Sequence, residues 1–199
     1  MRTGPEQSAA DPLTATVADR QGQTFRVRPL QTSDAASFGL FLDGLTAATR
    51  GVYGPHPLNA DHARILCEEI DPGRCLRFIA LGPISENPDQ VAAYMILDLG
   101  VRDSDAGRYT EVGVSLDPVT TATFAPVVGD AWQEHGLGSA MMQVVIDAAR
   151  HAGRTQIILM GGVRDDNPRA RHFYTKAGFE RVRGFFAGGV DNHDMILRL

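Results

Sequence analysis

Pro126-Val127-Val128-Gly129-Asp130-Ala131-Trp132-Gln133-Glu134-His135-Gly136-Leu137-Gly138-Ser139-Ala140-Met141-Met142 is the stretch on which the reading of this chain turns. An apolar strand runs into a loop, and two glycines stand at the mouth of an amphipathic helix. A helix N-terminus offers unpaired N–H groups and the positive end of the helix dipole, which suit a phosphate or pyrophosphate. Glycine lets the backbone approach those oxygens with no Cβ in the way. A dinucleotide fingerprint, G-x-G-x-x-G, does not fit. Met141 occupies the third glycine position, and the loop between strand and glycines is too long. A Walker A loop does not fit either, because no Gly-Lys-Ser/Thr is present.

Downstream, apolar residues at Met141, Val144, Val145, Ala148 and Ala152 predict a helix over Ser139–Ala152, with Gly153 placed to end it. Gln156–Met160 is a short apolar strand, expected to be buried on both faces. Asn167 caps a further helix with Pro168 at its first position. Ala170, Phe173, Tyr174 and Ala177 form its stripe, and Gly178 ends it. Arg181–Gly184 and Asp194–Leu199 are the last strand candidates.

Upstream, Thr121–Val128 and Glu111–Leu116 read as strand pieces, and the polar Arg102–Tyr109 as a loop. Cys75–Leu81 and Val91–Leu99 are strands around a Gly/Pro/Asn turn. Asn59 caps a helix carrying Ala63, Leu66, Cys67 and Ile70. Thr32 or Ser33 caps another carrying Phe38, Phe41, Leu42 and Leu45. A Gly/Pro-rich loop joins the two. Alternation at Thr24–Leu30 predicts the first strand, closed by Pro29. Residues 1–22 show no sustained period and are expected to form a flexible extension, leaving 23–199 as the domain. The order of elements is that of a single α/β domain on a mixed, twisted sheet with helices on both faces.

The chain of 199 residues has a formal net charge of −5, so no global positive field exists to draw in nucleic acid. A hydrophobic fraction of 43% with 22% charged residues is that of a soluble globular protein. Cys67 and Cys75 are too few for a disulfide framework and lack metal-ligand spacing, so no metal is expected. No apolar run approaches the ~18 residues of a membrane span, and the N-terminus has no secretory h-region. A cytoplasmic protein without a membrane partner is the expectation.

Gln133-Glu134-His135-Gly136-Leu137-Gly138 fits Q/R-x-x-G-x-G/A and resembles the pyrophosphate loop of the GNAT acyltransferases. Asn167-Pro168-Arg169-Ala170-Arg171-His172-Phe173-Tyr174-Thr175-Lys176-Ala177-Gly178-Phe179 resembles the N-x-x-A-x-x-F-Y-x-K-x-G-F helix of the same superfamily. The resemblance implies an acetyl-CoA-dependent N-acetyltransferase whose sheet splays at the acyl-CoA site, acting on a small-molecule or protein amine, without a metal. Such proteins often form homodimers. By this resemblance, the backbone of Val127 and Val128 holds the pantetheine arm. Gln133, Glu134, His135, Gly136, Leu137, Gly138 and Ser139 cradle the pyrophosphate, and Asn167 contacts the arm. Pro126, which cannot donate to a ladder, fits a place where two strands part. Trp132 is read as a packing anchor.

Tyr174 is the expected general acid, since a phenol with a pKa of about 10 can protonate a departing thiolate near neutral pH. Many relatives carry a glutamate on the strand before the loop, where this chain has Thr123. Glu111, Asp117, His56 and His193 are then the candidate bases. Leu45–Pro57 loosely resembles the acceptor region of bacterial GNATs that acylate protein lysines, making Arg50, Tyr53 and His56, with Thr123, candidate acceptor contacts. A non-catalytic acyl-CoA-binding domain is the alternative that the missing glutamate suggests, and a retained Tyr174 argues against it.

Overall fold

A computed structural model describes residues 13–199. One nine-stranded mixed sheet runs through the protein, in the order β1-β2-β3-β4-β5-β6-β9-β7, with β8 on the free side of β9. The strands are β1 (Ala15–Ala18), β2 (Thr24–Pro29), β3 (Cys75–Leu81), β4 (Val91–Asp98), β5 (Thr121–Val128), β6 (Gln156–Leu159), β7 (Val163–Arg164), β8 (Glu180–Ala187) and β9 (Val190–Arg198). The helices are α1 (Ala35–Gly44), α2 (Ala47–Gly51), α3 (Ala60–Glu68), α4 (Asp103–Thr110), α5 (Leu137–His151) and α6 (Pro168–Lys176).

Alternation along the strands divides the interior into two faces. Phe78, Met95, Leu97 and Phe124 point into one core, shared with Met141, Val145 and Ala148 of α5 and Tyr174 of α6. Cys75, Ile79, Tyr94, Ile96, Ala125 and Val127 point into the opposite core, under Phe38, Phe41 and Leu42 of α1 and Leu66 and Cys67 of α3. On that second face Tyr109 of α4 covers Ile158 and Ile196. Helices α5 and α6 therefore lie on one side, and α1 to α4 on the other.

Several elements differ from expectation for identifiable reasons. Residues 13–22 are not a loose extension. Strand β1 pairs antiparallel with β2, from Ala15 opposite Val27 to Ala18 opposite Thr24, and Leu13, Ala15 and Val17 pack on the core. The Asp19 carboxylate closes the hairpin by accepting from the N–H groups of Gln21 (2.8 Å) and Gln23 (2.9 Å). The remainder of the expected extension, residues 1–12, lies outside the described residues.

Arg102–Tyr109 is not a loop, because helix α4 occupies it. Its inward side combines the buried ring of Tyr109 with an ionic network. Arg108 bonds the carboxylates of Asp105 (2.6 Å) and Asp194 (2.8 Å), and the Tyr109 hydroxyl donates to Met195 C=O (2.7 Å). A helix buried through such a network carries no hydrophobic period. Glu111–Leu116 is correspondingly a turn, with Gly113 at φ +76°. Residues 32–34 form a short 3-10 turn before α1. Asp34, clasped by both Arg28 nitrogens at 2.7 Å, accepts from the Gln31 N–H in place of a Ser/Thr cap. Strands β8 and β9 are longer than expected, joined by Gly188-Gly189 at φ +62° and +77°, the backbone a two-residue hairpin turn requires.

Candidate active site

Strands β5 and β6 run parallel only from Thr121 opposite Gln156 to Phe124 opposite Leu159. Beyond that point they part, and a half-open cavity of about 920 Å³ opens between them. The hydrogen-bond parity of β5 shows which groups face it. Gly129 N–H donates to Ala92 C=O on the β4 side (2.8 Å), whereas Phe124 C=O accepts from Met160 N–H on the β6 side (2.9 Å). Alternation then turns the backbone groups of Pro126 and Val128 toward the gap and those of Val127 toward Tyr94 of β4. The expected role of the Val127 backbone is thus corrected: Val127 lines the cavity, but its peptide groups are spent on β4. Pro126 sits where its missing N–H costs no ladder bond.

Helix α5 begins at this opening. Gly136, its N-cap, adopts φ +95°, and a Cβ there would lie 2.8 Å from Arg20 Cγ. The N–H groups of Leu137, Gly138 and Ser139 have no acceptor among the described residues, the first turn being closed by Ala140 N–H to Gly136 C=O (3.0 Å). Gly136, Gly138 and Ser139 line the cavity, as does Glu134, at φ +66°. Leu137 places its side chain in the core, leaving only its N–H for a ligand. His135 does not line the cavity, and its C=O accepts from Arg20 N–H (2.8 Å).

Gln133 lines the cavity but braces it. Its Nε2 donates to Val128 C=O (2.9 Å) and Thr49 Oγ1 (3.0 Å). Thr49 in turn donates to Asp130, which also accepts from the Thr46 N–H and hydroxyl, so the loop is tied to α2. Burial opposes ionisation of Asp130, but these donors outweigh it and hold the carboxyl below its usual range. Trp132 packs edge-on against Phe25, with ring centroids 5.5 Å apart. Asn167 caps α6 through its side-chain oxygen to Ala170 N–H (3.1 Å), which leaves its N–H groups for the cavity that it lines.

Tyr174 is buried among Phe173, Phe124 and Phe179, with ring centroids at 5.1, 6.4 and 5.5 Å. Its hydroxyl makes no hydrogen bond to another described residue, and Tyr174 lines the cavity. Burial pushes its pKa well up, so the phenol keeps its proton through neutral and mildly alkaline pH.

The acceptor side departs further from expectation. Arg50 does not line the cavity. It bonds the carbonyls of Leu42, Asp43, Leu45 and Leu58, stapling the α1–α3 connection. Thr123 is buried, and its hydroxyl donates to Gly100 C=O at 2.6 Å. His56 stands behind Tyr53. Its Nδ1–H donates to Pro57 C=O (2.8 Å), leaving Nε2 to accept from the Tyr53 hydroxyl (3.0 Å). Burial, helped by His62 and Arg77 and opposed by the Pro57 carbonyl, lowers the His56 pKa to about 4. Tyr53 alone of the expected acceptor contacts lines the cavity.

Glu111 is paired with Arg183, Asp117 caps the turn at Val119, and His193 is held by Asp165 at 2.6 Å. None of these three lines the cavity. Among its described lining residues the one carboxylate is Glu134, against Arg20, Arg102, Arg164, Arg169 and Lys176. No group of three His, Cys, Asp or Glu could hold a metal among the described residues. No described helix is long and apolar enough to cross a membrane. Arg20, which sequence reading placed in the extension, is one of the lining cations it missed, with Arg102, Arg164, Arg169 and Lys176. The turn signal Asp19-Arg20-Gln21-Gly22 between two alternating segments would have located Arg20.

The sequence profile of the acetyltransferase (GNAT) family matches residues 60–179. No protein of curated function matches the chain. Among solved structures, the GNAT domain of S. lividans PAT is 23% identical with a TM-score of 0.74, over 99% of this chain and 100% of that one. The ribosomal-protein-S5-alanine acetyltransferase from Vibrio fischeri is 10% identical with a TM-score of 0.66, over 87% and 92%. Aminoglycoside acetyltransferase AAC(6')-Ib, in complex with coenzyme A and kanamycin, is 17% identical with a TM-score of 0.63, over 86% and 93%. At these identities the likeness is one of fold.

Proposed function

The chain belongs to the GNAT acetyltransferase family, and from that premise we propose that it transfers an acetyl group from acetyl-CoA to a primary amine by direct attack. One observation carries this reading. Gly138 and Ser139, whose N–H groups at the α5 N-terminus have no acceptor among the described residues, line the same cavity as Tyr174, whose hydroxyl has no partner among them.

The cavity fits the cosubstrate. Leu137, Gly138 and Ser139 N–H groups, with the Arg20 guanidinium, which has no ion pair among the described residues, beside Gly136, suit a pyrophosphate. Pro126 C=O and Val128 N–H offer ladder partners to an amide-bearing arm, and Asn167 offers its side-chain N–H groups. When bound, acetyl-CoA supplies an acyl group activated as a thioester. The acceptor nitrogen then bonds the acyl carbon as the carbon–sulfur bond breaks. Tyr174 gives its proton to the departing sulfur and regains one from solvent, which takes up the proton shed by nitrogen. The Tyr53 hydroxyl, its own proton committed to His56, presents a lone pair to an acceptor N–H. No carboxylate stands at Thr123, so the amine reaches the site already neutral.

The test is a melting shift with acetyl-CoA but not with NAD, together with CoA release on adding amines. Tyr174→Phe keeps the shift and loses roughly tenfold to a thousandfold in kcat, the range for a lost general acid. Undiminished turnover in that variant would return Tyr174 to a packing role.

A further inference from the structure

The two faces of the sheet divide the charges around the cavity. Arg20 and the α5 N-terminus belong to the α5–α6 face, where the phosphates are assigned. Arg102 stands on the other face, at the N-cap of α4, and lines the cavity on the same side as Tyr53. It makes no ion pair and no side-chain hydrogen bond among the described residues, and it lies close enough to Cys75 to help counter the upward push of burial on that thiol. Asp98 also acts on Cys75 but does not pair with Arg102.

Behind them Arg77 of β3 has a buried Nε without a partner among the described residues, and its charge reaches Tyr53, His56 and His62. Arg164, beside Gly51, is the second lining cation on this side. It is bound to Asp166, which does not line the cavity. The lining carboxylate, Glu134, belongs to the pyrophosphate loop. An acceptor entering here meets arginine and tyrosine, with no acid among the described lining residues on this side to receive further positive charge.

Resting on the acetyl-transfer reading, we propose that the acceptor is a small amine that also carries a carboxylate, and that Arg102 binds that carboxylate while Tyr53 receives the amine. A planar guanidinium grips a carboxylate through two parallel N–H bonds. The same positive surroundings favour the neutral form of the amine, the form that attacks. A polycationic amine is disfavoured on both counts.

The experiment is calorimetric titration of the full chain, saturated with CoA, with L-amino acids, their carboxamides, their decarboxylated amines and a polyamine. The free acids should bind about tenfold or more tightly than the carboxamides, as for loss of a charge-assisted pair. Arg102→Gln should bring acid and carboxamide to one Kd without changing the Kd of CoA, and Arg102→Lys should keep part of the preference. The inference is overturned if carboxamides or polyamine bind native protein as tightly as the acids. It is also overturned if no acid binds, if the preference survives Arg102→Gln, or if that change weakens CoA instead. CoA release with the same panel separates the two readings. Acids that bind but release no CoA sink acetyl transfer and keep the carboxylate site. Release driven by polyamine or carboxamides alone does the reverse.

Discussion

The two halves of the cavity follow different rules. On the side proposed for the cofactor, the groups on offer belong to the peptide backbone: N–H groups at a helix start, a glycine at φ +95°, and strand groups exposed where β5 and β6 part. On the side proposed for the acceptor they are side chains, and most candidates there are occupied in holding the protein together. Arg50 staples carbonyls, Thr123 bonds Gly100, and His56 fixes Tyr53. Backbone chemistry depends on local geometry that a short motif specifies. Side-chain chemistry depends on which partner lies within reach, which only the folded chain decides.

The largest effect should come from the cofactor half. Gly136→Val places a β-branched residue at a positive φ, a conformation costing roughly 1–2 kcal/mol or more, and drives its Cβ into Arg20. The expected result is complete loss of the CoA-induced melting shift. A normal shift would mean that the loop is not the phosphate site. Gly138→Ala is the contrasting change. Its Cβ would meet Val128 at 3.4 Å, an ordinary contact, so most of the shift should remain.

Arg20 sharpens the comparison, because it is a side chain serving the backbone half. Arg20→Gln should weaken CoA about tenfold, as for one lost charge-assisted contact, and flatten the salt dependence of binding. Isothermal titration at two ionic strengths measures both. Unchanged affinity would confine Arg20 to hairpin packing.

What could be read in advance follows the same division. Strands β2 to β5, the Asn59 and Asn167 caps and the helix-ending glycines are written in local residue types, and the structure places them within a few residues of expectation. Helix α4 was hidden because its buried residues are only Asp105 and Tyr109, with the half-buried Arg108 held by Asp194, which is remote in sequence. Arg20 was hidden because the four residues of β1 are a weak signal until they are weighed with the Asp19–Gly22 turn that follows them. That Gly136 and Gly138 stand at the mouth of a helix was legible, and both line the cavity. Arg50 and Thr123 were not, since nothing in their neighbours announces the carbonyls that they meet.

A smaller effect concerns stability. His56 has a folded pKa near 4 against an ordinary value of 6.5, and His62 is shifted the same way, burial being the first cause for each. Between those values the unfolded chain binds protons that the folded chain refuses. The stabilisation is therefore full above pH 6.5 and is lost as pH falls toward 4. The melting temperature should drop across that window, and His56→Gln should make the drop shallower. An unchanged slope would show that the Tyr53–His56 pair does not stay closed.

The smallest expected effect is none at all, and it concerns the base. Glu111 is committed to Arg183, Asp117 to its turn and His193 to Asp165, while His56 has both nitrogens engaged and a pKa too low to accept a proton near neutrality. Glu134 faces the cavity from the pyrophosphate loop, on the cofactor side of the gap. With no base poised near pH 7, the rate depends on the small neutral fraction of an amine whose ordinary pKa is about 10.4. The value of kcat/KM should then climb with pH toward the amine's own pKa. Tyr174 does not cut this rise short, because burial holds its proton in place beyond the ordinary phenol range. Glu111→Gln, Asp117→Asn, His56→Gln, His193→Gln and Glu134→Gln should each leave the shape of the profile unchanged, even where one alters KM. If any of them abolishes an acid limb with an apparent pKa between about 5 and 8, where a tuned carboxylate or histidine titrates, that residue is the base. The acceptor half would then hold a dedicated proton acceptor in place of a neutral-amine route.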